Sequence, residues 1–238
     1  MAIHYRSHRD PKSSHQQISQ LVRQLGQSPV LDVGAAQGML SKSLEGTGIV
    51  LDAVEANPEW AAMAKPFYRN VHASYIQDAP LPEKTYKTVV CADVLEHTPD
   101  PVGVLGQLRR AATDDATFII SVPNIAHLAV RLMLLLGRFP KMERGPLDRT
   151  HLQFLTRDTA REMMEQGGLK VEKFSVTGVP LDELWKNGEG KMLFNAMLRA
   201  QHLALAVAPR LFGFQWIMVA KSAKPGHGPL SPVSGGER

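Results

Sequence analysis

Pro29-Val30-Leu31-Asp32-Val33-Gly34-Ala35-Ala36-Gln37-Gly38 decides how this chain is read. An apolar run ends at a turn of small residues, and a helix opens at Met39. So little side chain lets backbone N–H groups approach a ligand closely, and the helix start adds a partly positive end. The small residues fall at Gly34, Ala36 and Gly38, with the acid Asp32 two positions before the first. A dinucleotide fingerprint needs the spacing G-x-G-x-x-G, which this stretch lacks. An ordinary strand–turn–helix without a ligand has the same outline, so the flanking chain must decide.

Outward from the turn, residues 39–45 read as a crossover helix and 49–55 as a second strand ending in Glu55. An acid at that tip, about 20 residues past the first strand, can hold both hydroxyls of a ribose, because two carboxylate oxygens suit a vicinal diol. A helix-capping acid is the alternative. Residues 58–68 read as a helix and 71–77 as a third strand, before Asp78-Ala79 and an extended Pro80-Leu81-Pro82 loop. A fourth strand begins at Thr88 and exits through Leu95-Glu96-His97 into Thr98-Pro99-Asp100-Pro101. A helix over 102–112 and a strand over 117–122 follow, and residues 14–26 form a covering helix upstream. Such alternation argues for a parallel sheet with helices on both faces.

These positions resemble the class I S-adenosylmethionine (SAM) methyltransferases, whose first motif is written D/E-x-G-x-G-x-G; Ala36 stands at the middle glycine. Leu95-Glu96-His97 with its Pro-rich turn is similar to the motif after the fourth strand in type 11 and type 12-like small-molecule O-methyltransferases. The resemblance runs motif by motif over 29–123 and more loosely to 221. It implies an α/β, Rossmann-like sheet of seven strands, the last antiparallel, with helices on both faces and a helical lid insertion. The final strand, 213–221, would pair with 169–176, a feature that nucleotide dehydrogenases lack. Residues 1–223 would be one domain, with lid insertions at about 124–155 and 181–212 and a disordered tail over 224–238.

The same resemblance implies SAM as cofactor and S-adenosylhomocysteine (SAH) as product. Its contacts would be Asp32, Gly34, Ala35, Ala36 and Gly38 in the turn, then Glu55 and Ala56 at the ribose. Asp78 and Ala79 would meet the adenine, and Ala92 and Asp93 the methionine part, with His97 near the methyl. Cys91, in an apolar strand, reads as packing rather than as a nucleophile. His151, in Asp148-Arg149-Thr150-His151-Leu152, has the right chemistry for a base near pH 7, as has His97. Thr156 reads as the N-cap of a helix over 157–166.

Composition bounds the alternatives. The chain has 238 residues, 44% hydrophobic and 21% charged, as in an ordinary globular protein. A net charge of +4 without a long basic run does not imply nucleic acid. The sole cysteine, Cys91, excludes an internal disulfide and any multi-cysteine zinc site. His4, His8 and His15 lack a carboxylate or cysteine at ligand spacing, so they read as solvated and no metal is expected. The first residues are too polar for a secretory signal, and no apolar run reaches the roughly 18 residues of a spanning helix, so a cytoplasmic enzyme is expected.

Two apolar insertions carry the acceptor question. On a helix over 124–138, Asn124, His127, Arg131 and Arg138 share a narrow stripe. On another over 192–208, Asn195, Arg199 and His202 do the same. Most of the apolar girth is expected to be buried, the polar seams facing a small, partly hydrophobic acceptor methylated at oxygen. A basic amphipathic helix can also lie on a membrane surface, so peripheral contact is the second expectation. A nucleotide-dependent oxidoreductase and a non-catalytic SAM- or SAH-binding module are the competing readings.

Overall fold

Strands that are apolar on both faces must be covered on both faces, and this chain does so from its first strand onward. The structure, a computed structural model, describes residues 10–181 and 191–223. In chain order these form α1 (Ser14–Leu25), β1 (Val30–Val33), α2 (Met39–Ser43), β2 (Leu51–Val54), α3 (Pro58–Ala64), β3 (Asn70–His72), β4 (Tyr86–Ala92) and α4 (Pro101–Ala111). Then come β5 (Ala112–Pro123), α5 (Leu128–Leu135), α6 (Arg157–Gln166), β6 (Leu169–Val176), α7 (Lys191–Val207), α8 (Pro209–Phe212) and β7 (Gln215–Ser222).

The seven strands make one sheet in the order β3-β2-β1-β4-β5-β7-β6. β1 pairs in parallel with β2 and β4, while β7 runs antiparallel to both β5 and β6. Every residue of β1 and β2 is buried. One core, around Leu31, Leu105, Phe118 and Met164, fills one face; a second, around Val22, Val30, Val90 and Ile119, fills the other. Each such large side chain contributes about 1.5–3 kcal/mol by leaving water. The seven-strand architecture expected from the sequence is the one observed.

A buried acid fastens the outer strands. Asp52 of β2 accepts hydrogen bonds from Arg69 (3.0 and 2.5 Å), Asn70 (3.0 Å) and the Tyr86 hydroxyl (3.1 Å). Burial works against its charge, but these donors outweigh it and hold the carboxyl below its ordinary range.

Local departures from the sequence reading have local causes. The helix expected over 58–68 is α only to Ala64 and tightens to a 3-10 turn over Lys65–Phe67, where Pro66 has no N–H to donate. The strand expected over 71–77 spans only Asn70–His72, and Ile76–Asp78 is a 3-10 turn.

The insertion over 124–138 departs further. Its helix begins at Leu128, capped by His127, whose Nδ1 accepts the Ala129 N–H at 3.2 Å. Asn124 stands outside it and is fully buried, donating to the Gly213 carbonyl at 2.8 Å. Arg138 lies beyond its end, so the four-residue stripe does not exist as helix. The expected burial is also overturned: only Val130 of α5 is buried, and Leu135 is 82% exposed. In α7, His202 turns to Asp10 at 3.0 Å and Gln201 clasps the Val179 backbone, while Leu203 and Val207 face solvent. No helix among the described residues is long and apolar enough to cross a membrane. The start of the N-terminal arm (His4 and His8), part of the second insertion (182–190) and the 224–238 tail lie outside the described residues.

Candidate active site at the switch point

Strand order reverses between β1 and β4, and ligands of open α/β sheets bind outside the carboxyl ends at such a point. The glycine turn leaves β1 here. Gly34, Ala36 and Gly38 all have left-handed backbones, at φ +76°, +46° and +82°. A Cβ on Gly34 would stand 2.4 Å from Cγ2 of Val94, so β4's exit requires glycine there as much as a ligand does. Ala36, a non-glycine in this region, bears about 1–2 kcal/mol of strain. Its N–H is held by Glu55 Oε2 at 2.7 Å, while Glu55 Oε1 takes the Asn57 N–H at 2.8 Å. A carboxylate has about four lone-pair sites, so two remain on Glu55 for a diol. The turn and this buried acid therefore fit the ribose end of SAM.

The other expected cofactor residues divide. Asp32 is committed to the protein: the Tyr68 hydroxyl donates to its Oδ2 at 2.5 Å. Burial raises its pKa to about 7, with Tyr68 opposing and the charge of Glu55 adding to the rise. Ala35 is buried beneath the turn, Ala56 is exposed beside Glu55, and Asp78 and Ala79 close the short 3-10 turn after β3. Ala92 and Asp93 follow β4. Asp93 has φ +54° and accepts from Ser121 Oγ (2.9 Å) and Gln215 Nε2 (2.7 Å), which joins the exits of β4 and β5 to the entry of β7. Cys91 is wholly buried, and that burial pushes its thiol well up, so it stays protonated as packing.

Beyond Asp93 the chain makes a 3-10 turn over Leu95–His97. The 142–156 loop docks onto it, Leu152 and Gln153 donating their N–H groups to the Glu96 carbonyl at 2.7 and 3.0 Å. This docking brings His97 and His151 together, ring centroids 4.8 Å apart and edge-to-face. The Thr150 carbonyl sits 3.3 Å from His97 Nδ1 and the Pro146 carbonyl 3.4 Å from His151 Nδ1. A carbonyl accepts only, and the Thr150 hydroxyl, 3.1 Å from His97 Nδ1, already donates to Asp148, so these partners favour the neutral tautomer with the proton on Nδ1 and a lone pair on Nε2. Burial, then the neighbouring His97, lowers the pKa of His151. Asp148 accepts both the Thr150 hydroxyl (2.6 Å) and the Thr150 N–H (2.8 Å), which fixes the loop.

Glu96, inside the Leu95-Glu96-His97 motif, is a further candidate that the sequence does not single out. Its side chain is 1% exposed and neither carboxylate oxygen has a hydrogen-bond partner. Burial first, and then the charge of Asp93, raise its pKa well above the ordinary range. The signal available in sequence was a carboxylate adjacent to a histidine at a strand exit.

A family model described as "Methyltransferase domain" matches residues 4–173. The ubiquinone biosynthesis O-methyltransferase of Aeromonas salmonicida is 28% identical over 169 residues, covering 67% of this chain and 71% of that one. The Xanthomonas euvesicatoria protein of the same name is 24% identical over 193 residues, covering 78% of each. Among solved structures, a SAM-dependent methyltransferase from Archaeoglobus fulgidus superposes with TM-score 0.59 at 19% identity, covering 88% of this chain and 95% of that one. Magnesium protoporphyrin IX methyltransferase from Synechocystis, with bound SAH, gives 0.60 at 16% identity, covering 88% and 82%. With the fold, the turn and these relatives in agreement, the chain belongs to the methyltransferase-domain family and is a SAM-dependent methyltransferase.

Proposed function

We propose that this enzyme methylates an oxygen of a small, partly hydrophobic acceptor. The observation that carries the reading is the His97–His151 pair at the exit of β4, the strand beside the glycine turn. SAM supplies a sulfonium methyl, and transfer needs acceptor and donor aligned in line with water kept away. Alignment of that kind is worth about 7–11 kcal/mol of barrier.

Each residue then has a task. Glu55 holds the ribose diol with its two remaining lone-pair sites. The Gly34–Gly38 turn brings backbone N–H groups to the cofactor. His151, neutral near pH 7 through its burial, takes the hydroxyl proton at Nε2, and His97 orients it. Such a base contributes about a hundred- to ten-thousandfold. The exposed Leu132, Leu134 and Leu135 of α5, with the edge-to-face pair Phe139–Phe154 (5.4 Å), offer apolar contact to the acceptor's body or to a membrane surface that delivers it. Two relatives named for O-methylation support oxygen as the acceptor atom.

The test is an acceptor panel with labelled SAM: hydroxylated aromatics with and without an alkyl chain, matched amines, and NADH-linked carbonyls. Methyl gain on the hydroxyl compounds, greater for those bearing the chain, is expected. Methylation confined to amines would overturn the assignment to oxygen.

A further inference from the structure

A buried carboxylate without a single hydrogen bond is costly unless something neutralises it. Glu96 is such a group, and its surroundings name a partner. One ligand atom each from Glu96, His97 and His151 lies within 4.8 Å of the others. We propose that these three side chains form a binding site for one first-row divalent metal ion.

Three features converge on that reading. First, the donor set is two imidazoles and a carboxylate, which favours Zn²⁺, Co²⁺, Mn²⁺ or Fe²⁺ over the all-oxygen preference of Mg²⁺ and Ca²⁺. Second, both rings hold Nδ1 against a backbone carbonyl, of Thr150 and of Pro146, the outer hydrogen bond that orients metal-binding histidines and leaves Nε2 for the ion. Third, bonds of about 2.0–2.2 Å put tetrahedral ligand atoms about 3.5 Å apart, so the cluster need tighten by only about an ångström. His97, exposed and on a short turn, is free to make that move.

Neither fragment announces the site alone. Glu96-His97 and His151 are 54 residues apart, and only the docking of the 142–156 loop joins them. No metal is expected from the sequence because the N-terminal histidines lack ligand partners there, and this pair comes together only in the fold. The ion's use in the reaction rests on the methyl-transfer reading above and replaces one part of it: with Nε2 of His151 bound to the ion, the ion would take over from that imidazole as the group that favours the ionised form of a hydroxyl, the released proton passing to solvent. Binding itself does not depend on that reading.

The full chain, stripped with a chelator and dialysed, is titrated with Co²⁺ and followed by visible absorption, then competed with Zn²⁺. One equivalent per chain with a ligand-field band, displaced by Zn²⁺, is expected. Glu96→Gln and His151→Ala should each weaken Co²⁺ at least tenfold. His97→Gln, on an exposed position, serves if Glu96→Gln does not fold. SAH affinity, measured by calorimetry on the stripped protein, should be unchanged; its loss would count against the cofactor reading and not against the metal site. Failure to bind Co²⁺ stoichiometrically, or equal binding by wild type and all folded variants, would overturn the site.

Discussion

The two sides of the switch point are finished differently. On the β1–β2 side, the polar groups facing the crevice have partners inside the protein: Asp32 has Tyr68, and Glu55 has the N–H groups of Ala36 and Asn57. On the β4–β5 side, Glu96 is bare at both oxygens, and leucines of α5 face solvent. A site for an invariant ligand can be built complete. A site that awaits an acceptor, an ion or a surface keeps groups whose partners come from outside. Substitutions on the two sides should therefore fail in different ways.

The largest effect is expected on the finished side. Gly34→Val puts a β-branched side chain at φ +76° and 2.4 Å from Val94. Strain and overpacking together should cost about 2–5 kcal/mol, read as a fall in denaturation midpoint. A variant as stable as wild type would show that the turn yields more easily than its geometry implies.

Next comes the pH dependence of stability. Asp32 moves from an ordinary 3.8 to about 7 on folding, so between those values the folded chain keeps a proton that the unfolded chain has lost. By linkage, its contribution is fully present below about pH 4 and is lost as pH rises through about 7, up to about 4 kcal/mol. Asp32→Asn should flatten the decline in denaturation midpoint between pH 5 and pH 8, on the order of that interval. An unchanged slope would assign the decline to other acids.

Ala36→Gly should be a small gain. Relief of left-handed strain, about 1–2 kcal/mol, is partly offset by the greater freedom of glycine in the unfolded chain, about 0.4–1 kcal/mol. Denaturant titration measures the difference, and a loss of stability would mean the alanine methyl makes a contact worth more than its strain.

The smallest stability effect belongs to the unfinished side. Leu135→Ser should stay within about 0.5 kcal/mol, because the residue is already in water. If α5 meets a membrane, the same change should reduce sedimentation with anionic liposomes. A marked drop in stability would instead mean that the helix packs against the protein in solution.

The same contrast explains what was legible in the sequence. Backbone geometry dictates residue type at Gly34 and Gly38, so the turn could be read directly, as could the position of Glu55 at the tip of β2 and the alternation that makes a parallel sheet. Short apolar strands bounded by turns announced the parallel half, and the resemblance to class I methyltransferases supplied the β6–β7 pair. The insertion misled because apolar periodicity reports a helix but not what covers it, and apart from Val130 most of the apolar face of α5 is left open among the described residues. Asn124 looked like a helical seam and is instead a buried tie to Gly213. Asp32 was read from the motif alone, and its partner Tyr68, 36 residues away, could be found only in the fold. Glu96 stayed hidden for the same reason: its unpartnered state is a property of packing, and its neighbour His151 arrives from a distant loop.

The measurement closest to the centre of this account is SAH binding by calorimetry to wild type and Glu55→Ala, with both proteins shown to be folded. If Glu55 holds the ribose diol, the variant loses one or two charge-assisted hydrogen bonds of about 1.5–3 kcal/mol each. Affinity should then fall about ten- to over a hundredfold. Equal affinity in the two proteins would contradict the account, leaving Glu55 as no more than the clasp of the Ala36 turn.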